Sequence, residues 1–490
     1  MRLRAQKHTK KKFLLPLLLI IVVSVLSGFL LGFYNLPGYL KANFVLLKNP
    51  KVLSSLYEEN TLDTLYINIS FENFQKILSK RKEALKIGKL FSSPKDFVRA
   101  KINFDGKEHS CKIRLKGDLP KHWTGEKISL RVELKDDSTY KGMSNFSIQD
   151  PDTRKGTDEW LFISSLGKEN CMAVKYDFVN IVLNGKPMGI FAIQEHYSKE
   201  MIESNNRREG VILSFDEYLI WKKFPPNLFT NINWDTIFSS SEILVRNSKR
   251  IQKSESLLRQ KETALNLLRS LQEGTTKASE LFCPIQLGKF LALTHLWNAE
   301  HALDPDDINF YYNPIISQLE PIGSDAQLGT YPHYCFFKSG IMKENWVNVA
   351  LKDHSIASSY IEFLSKFSSH EYIESLGLEF AEKEKCLRNL LIKECIGMDH
   401  ITIWKSIPRI FDYDPWSKVT ATAKKIRQEL AENNIILGYA KRDHSNKSIR
   451  INLRNTTTQP VEVITLILND QNFSASEKYK VQKLVFLGSS

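Results

Sequence analysis

Between Phe13 and Leu40 the chain carries no charged side chain, and from Phe13 to Phe33 (FLLPLLLIIVVSVLSGFLLGF) it is almost wholly apolar. A run of about 18 such residues is long enough to cross a hydrocarbon layer roughly 30 Å thick as a helix. Six cations and no acid precede it: Arg2, Arg4, Lys7, Lys10, Lys11 and Lys12. That bias keeps the leading end cytoplasmic and sends the rest of the chain across the membrane. Tyr34 and Tyr39 stand where interfacial aromatics are expected. The sequence therefore predicts a basic cytoplasmic tail at 1–12, a transmembrane signal anchor at 13–34 and a juxtamembrane stem at 35–60. The main body is then extracytoplasmic, in a bacterial cell envelope, held by a single-pass anchor with the membrane as a partner. The alternatives are a buried core helix or a cleaved signal peptide. A cleaved signal would have a shorter apolar region, about 7–15 residues ending in a small-x-small site. Ser24 and Ser27-Gly28 are small, but they lie inside the apolar run.

The tail supplies nearly half of the formal net charge of +13, and the remainder is a thin excess over the rest of 490 residues. It identifies no partner, and nucleic acid is not expected. With 42% hydrophobic and 25% charged residues, the composition excludes a disordered or collagen-like chain and suits about two or three domains. The six cysteines (Cys111, Cys171, Cys283, Cys335, Cys386, Cys395) contain no C-x-x-C. Neither a zinc site nor a disulfide framework is expected of them; buried free thiols are, with one or two bridges left open.

Residues 61–210 read as β-rich. Leu65–Ile69, Val98–Phe104, Cys111–Leu115 and Ile128–Leu134 are short β-branched and apolar runs. Asp105-Gly106 and Asn184-Gly185 are hairpin signals, the second between Tyr176–Leu183 and Met188–Ile193. A helical pattern occupies 157–168, and Tyr197–Ser204 begins another helix. In 211–440 the period becomes helical, through Leu257, Leu258, Leu265, Leu268 and Leu271 and again through Leu287, Phe290, Leu291, Thr294 and Trp297. Further helices are expected at 371–396 and 416–432. Alternation returns at Ile449–Leu453 and Val461–Leu468, a β-rich appendage at 441–490.

The segment His301–Asp325 (HALDPDDINFYYNPIISQLEPIGSD) concentrates the chemistry. A buried helix at 285–300 delivers it, and Phe310–Tyr312 pairs with Gln318–Ile322 across Asn313-Pro314. Asp304 and Asn309 are five residues apart, and Asp325 follows the second strand. One carboxylate to orient a hydroxyl, with an Asn and an Asp as oxygen ligands for Mg²⁺, is the set phosphoryl transfer needs. An Asx-rich turn that caps helices is the competing account. His295 and His301 lack the i, i+4 spacing of a zinc pair.

Four blocks resemble the CotH kinases, the atypical kinase family named for a spore coat protein. They are Ile113–Asp118 with Lys127–Val132, Asp150–Arg154 with Glu159–Leu161, Val182–Lys186 running on to Glu195, and His301–Asp325. The resemblance implies an α+β, divergent two-lobed protein-kinase-like fold, with a β-rich N-lobe, a helical C-lobe and the small C-terminal β appendage, behind one transmembrane helix. It implies transfer of the γ-phosphoryl group of ATP, with Mg²⁺, to a hydroxyl on protein Ser/Thr or an envelope glycan. Asp325 and Asn309 would be the metal ligands and Asp304 the catalytic base, with Asp306 and Asp307 as alternatives. Lys127 and Arg114 would hold phosphates, and Glu195 would orient that cation. The chain has no G-x-G-x-x-G, P-loop, intact H-R-D or D-F-G. A catalytically inactive binding or structural module on the same fold is the alternative.

Overall fold

The computed structural model describes residues 61–216, 238–329, 346–397 and 414–431, with strand backbone over parts of 436–486. The expected tail 1–12, anchor 13–34 and stem 35–60 lie outside the described residues. Among the described residues no helix is long and apolar enough to cross a membrane. The single-pass anchor expected from the sequence is corrected to that extent: the described residues give it no support.

The chain forms two compact units, Met1–Thr61 with Lys385–Tyr413 and Leu62–Glu384 with Asp414–Ser490. Of the first, the described residues are Thr61 and the end of the helix His370–Gly397. The second holds a closed barrel.

The barrel begins with β1 (Thr64–Asn68), followed by α1 (Phe71–Ile87), β2 (Val98–Phe104), β3 (Lys107–Leu115), β4 (Leu130–Leu134) and β5 (Asn145–Gln149). After α2 (Asp158–Lys168) come β6 (Tyr176–Leu183) and β7 (Lys186–Glu195). Their order is β1-β2-β3-β4-β5-β7-β6. Both hairpin signals hold. Asp105 and Gly106 turn with φ of 53° and 71°, and Asn184 and Gly185 with 49° and 80°, the positive pair that matches strand twist in a two-residue turn. β1 closes the wall, antiparallel to β2 (Ile67 opposite Ile102) and parallel to β6 (Leu65 opposite Ile181). Leu65, Ile67, Ile102, Ile113, Val132, Phe146, Val179 and Ile193 fill the interior. Side chains of this size leave a seven-stranded barrel packed rather than hollow.

The next elements are α3 (Lys199–Ser204), β8 (Ile212–Phe215), β9 (Ile243–Val245), α4 (Glu255–Glu273) and α5 (Pro284–Leu296). Then come β10 (Asn309–Asn313), β11 (Gln318–Ile322) and α6 (His354–Phe367). β10 sits inside a four-stranded sheet of order β11-β10-β8-β9, with all five of its residues buried. Gly288 on α5 lies against Ser359 on α6, where a Cβ would come within 2.5 Å of the hydroxyl oxygen. The chain ends in short strand pairs. The first, Ile436–Asp443 with Ser448–Asn455, takes in Lys441–Asp443, which the sequence pattern places at the boundary.

The expected two-lobed kinase-like fold is therefore corrected. A closed barrel stands where a β-rich lobe was expected, and a second sheet lies inside the region expected to be helical. The closing contact pairs strands more than a hundred residues apart, and local alternation does not report it. α1 was also unexpected. It is set by the Ser70 hydroxyl, which accepts from the Asn73 amide at 3.4 Å, and by Gly88 at φ 81°.

Candidate functional site

α5 is capped at Trp297, and a single tight turn over Glu300–Leu303 carries the chain into Asp304. The Asp304 carbonyl accepts from the amides of Asp307 and Ile308, both at 2.9 Å, so the acids are held in one turn. β10 and β11 come next and present the loop Gly323–Gly329. Asp325 and Gln327 adopt φ of 53° and 41° there, the left-handed region that is uncommon outside glycine and concentrates at functional sites.

His301 joins two carboxylates. Its Nδ1 lies 2.7 Å from Asp304 Oδ2 and its Nε2 3.4 Å from Asp307 Oδ2. Burial opposes a charge on the ring, but Asp307, the Asp304 hydrogen bond and Asp325 outweigh it and push the imidazole up to about 9. Ligand-type atoms of His301, Asp304 and Asp307 lie within 4.8 Å of one another.

Asp325 is ringed by cations. It forms an ion pair with Arg154, and its Oδ1 accepts from Gln327 Nε2 at 3.0 Å. Gln327 Oε1 in turn accepts from Lys121 Nζ at 3.0 Å. Burial alone would raise the Asp325 carboxyl; Arg154, His301, Lys116 and Lys121 outweigh it and hold the group well below the ordinary carboxylate range. Glu159, on α2, accepts from the Ala326 amide at 2.9 Å, and its other oxygen is buried without a hydrogen-bond partner. Burial pushes Glu159 up to about 7.

Facing this loop is the outer wall of the barrel. Lys116, just past β3, donates to Gln149 Oε1 at 2.7 Å. Burial and the charges of Arg154 and Arg131 pull its amine down to about 7. Gly117 is required next to it: φ is 94°, and the His122 ring packs where a Cβ would stand, 2.2 Å away. Arg131 lies on β4 opposite Arg114 on β3. Arg246, just past β9, donates from Nε to Asn309 Oδ1 at 3.1 Å and lies over the Tyr197 ring.

The expected site residues are thus partly brought together. Asp304 and Asp325 share one charged cluster through His301. Asn309 does not join Asp325 as a ligand pair: its oxygen accepts from Arg246, and its Nδ2 donates to the Asp307 carbonyl at 2.9 Å. Both Asp325 oxygens are likewise engaged by donors. Asn309 and Asp325 as arranged therefore do not fit a resident Mg²⁺, and no step through such an ion is derived. Lys127 is buried with Nζ on the Ile190 carbonyl at 2.7 Å. Glu195 does not orient it; one of its oxygens accepts from the Lys175 amide at 3.0 Å, and the other is buried without a hydrogen-bond partner. Arg114 stands on the wall opposite Arg131, with Nη1 on its neighbour's carbonyl, Leu115 O, at 3.0 Å.

Lys116, Arg131, Arg154, Glu159 and Arg246 are not marked as site residues by the sequence. Lys116, Arg131, Arg154 and Glu159 lie inside the blocks that resemble the kinases, and strand alternation together with pairing register would have marked Arg131. Arg246 lies in no motif and carries no local signal. No family model matches the chain, and no curated protein matches it.

Proposed function

We propose that the chain is a phosphotransferase that takes ATP, as its Mg²⁺ complex, and passes the terminal phosphoryl group to a hydroxyl, on protein Ser/Thr. The observation that carries this reading is the meeting of fixed charges around Asp325. His301, held by Asp304 and Asp307, acts on it together with the cations Arg154, Lys116 and Lys121. Phosphoryl transfer asks a protein mainly to position groups and to stabilise charge, and cations fixed in a partly dry site supply that without reorganising. Asp304, oriented by His301, receives the proton of the attacking hydroxyl. The sequence blocks resembling the CotH kinases support the same chemistry.

The Arg154–Asp325 ion pair favours a second reading, a non-catalytic module that binds an anionic ligand. One measurement separates the two. The full chain is incubated with Mg-ATP labelled at the γ position, and melting and label transfer to protein are followed. A phosphotransferase gives a rise in melting temperature and labelled Ser/Thr, and Asp304→Asn keeps the first while losing the second by a factor of about 100 or more. A thermal shift with no transfer under any acceptor leaves the binding module; no shift and no transfer ends the enzyme reading.

A further inference from the structure

Strand register places two arginines where sheet physics disfavours them. Arg114 on β3 stands directly opposite Arg131 on β4, and like charges so opposed destabilise a sheet. Alternation leaves no choice of face. Ile113, Leu115, Leu130 and Val132 are buried inside the barrel, so both guanidinium groups stand on its outer wall. Arg246 and Lys116 approach the same place, and burial followed by the charges of Arg131, Arg246, Arg114 and Lys116 keeps His196 neutral beside them.

Among the described residues no ion pair neutralises this group, although Asp325 and Asp118 act on Lys116 through space. Lys116 donates to a neutral amide, Arg114 to a backbone carbonyl and Arg246 to the Asn309 carboxamide. Arg131 Nε is buried and has no hydrogen-bond partner. Among the described residues none of the four forms an ion pair. Asp118, Asp96 and Glu133 act on Arg114 through space, and Glu133 also on Arg131, all without a bridging contact. A buried donor left unmade is costly, and guanidinium forks match phosphate oxygens two bonds at a time.

We propose that Arg131, with Arg114, Lys116 and Arg246, is the seat of a polyphosphate chain, and that these side chains rather than Lys127 hold the phosphates of the nucleotide. The assignment deepens the phosphotransferase reading and rests on it for the identity of the ligand. Lys127 has its amine on Ile190, inside the wall. The four cations lie on the outside, next to Asp325 through Lys116.

The test is calorimetric titration of the full chain with inorganic tripolyphosphate and with Mg-ATP, for wild type, Arg131→Gln, Arg131→Lys and Arg246→Gln. Melting without ligand identifies the folded variants, and Arg131→Lys and Arg246→Gln carry the test if Arg131→Gln does not fold. Tripolyphosphate is expected to bind the wild type. Affinity for both probes should fall tenfold or more in Arg131→Gln and Arg246→Gln and less in Arg131→Lys, which keeps the charge but loses the fork. Undiminished affinity in the folded variants, or no binding of tripolyphosphate to the wild type, overturns the seat. Label transfer from ATP with undiminished variant affinity would remove the seat and keep the phosphotransferase; Arg131-dependent tripolyphosphate binding without any transfer would do the reverse.

Discussion

The two faces of β3 and β4 obey different rules. Inward, Cys111, Ile113 and Leu115 meet Leu130, Val132 and Leu134, all buried, and any other choice would leave a void or an unpaired polar group in the barrel. Outward, Lys112 stands opposite Glu133, a complementary pair, and one step along the ladder Arg114 stands opposite Arg131, a repulsive one. Both outward pairs sit on the same wall with the same backbone geometry, so the strand itself does not require the second. Packing dictates the inner face; the outer face is free to be arranged against stability, and an arrangement of that kind marks where a ligand's charge is awaited.

The comparison predicts its largest effect on the inner face. Phe146 is fully buried on β5, opposite Val132. Phe146→Ala should cost about 3–5 kcal/mol of unfolding free energy in urea, the range for an aromatic ring removed from a core. A loss below about 1 kcal/mol would mean that the barrel interior is not close-packed, and the contrast between the two faces would collapse.

The next effect concerns a charge on the inner row. Glu195 pairs with Phe146 in the ladder and is 3% exposed. Burial pushes its carboxyl up to about 7, with the Lys175 amide and ammonium only partly offsetting this. In the unfolded chain the group ionises near 4.5. The folded protein therefore holds the extra proton between those values, and its contribution to stability is lost as pH rises from about 4.5 to about 7. Glu195→Gln removes that loss. It should leave stability near pH 4 almost unchanged and raise it at pH 8 by about 2–3 kcal/mol, read from melts across the range. Parallel profiles for wild type and variant would show that this carboxylate is solvated after all.

The same contrast explains what could be read from the sequence. Asp105-Gly106, Asn184-Gly185 and the hairpin from Phe310 to Ile322 were legible because a turn and its flanking strands are local. So was the delivery of His301–Asp325 by a buried helix. Barrel closure was not legible, since β1 meets β6 across more than a hundred residues. β8 and β9 are too short, at four and three residues, to stand out from helical surroundings, yet they make β10 an inner strand. In the site, the acids announced themselves by crowding. The cations did not, because Lys116, Arg131, Arg154 and Arg246 come from four separate segments and only the fold assembles them. Lys127 and Glu195 were marked by another route: the resemblance implied a phosphate lysine and its partner, whereas the fold places one on the Ile190 carbonyl and the other on the Lys175 amide.

The smallest effect is the most discriminating, because its sign is reversed. In the absence of any ligand, Arg131→Gln relieves the opposition with Arg114 and should stabilise the protein by about 0.2–1 kcal/mol. Wild type should recover part of that difference when ionic strength is raised, since salt screens the repulsion at a partly exposed wall and leaves the neutral variant little to gain. Arg114→Gln should act in the same direction, and the double variant should gain less than the two together, because removing either charge already removes the pair. A variant that is destabilised equally at low and high salt would show Arg131 to be a packing residue whose aliphatic stem supports the wall. A variant that is stabilised, and more so at low salt, while losing tripolyphosphate, can only be one in which the same charge opposes folding and favours the ligand.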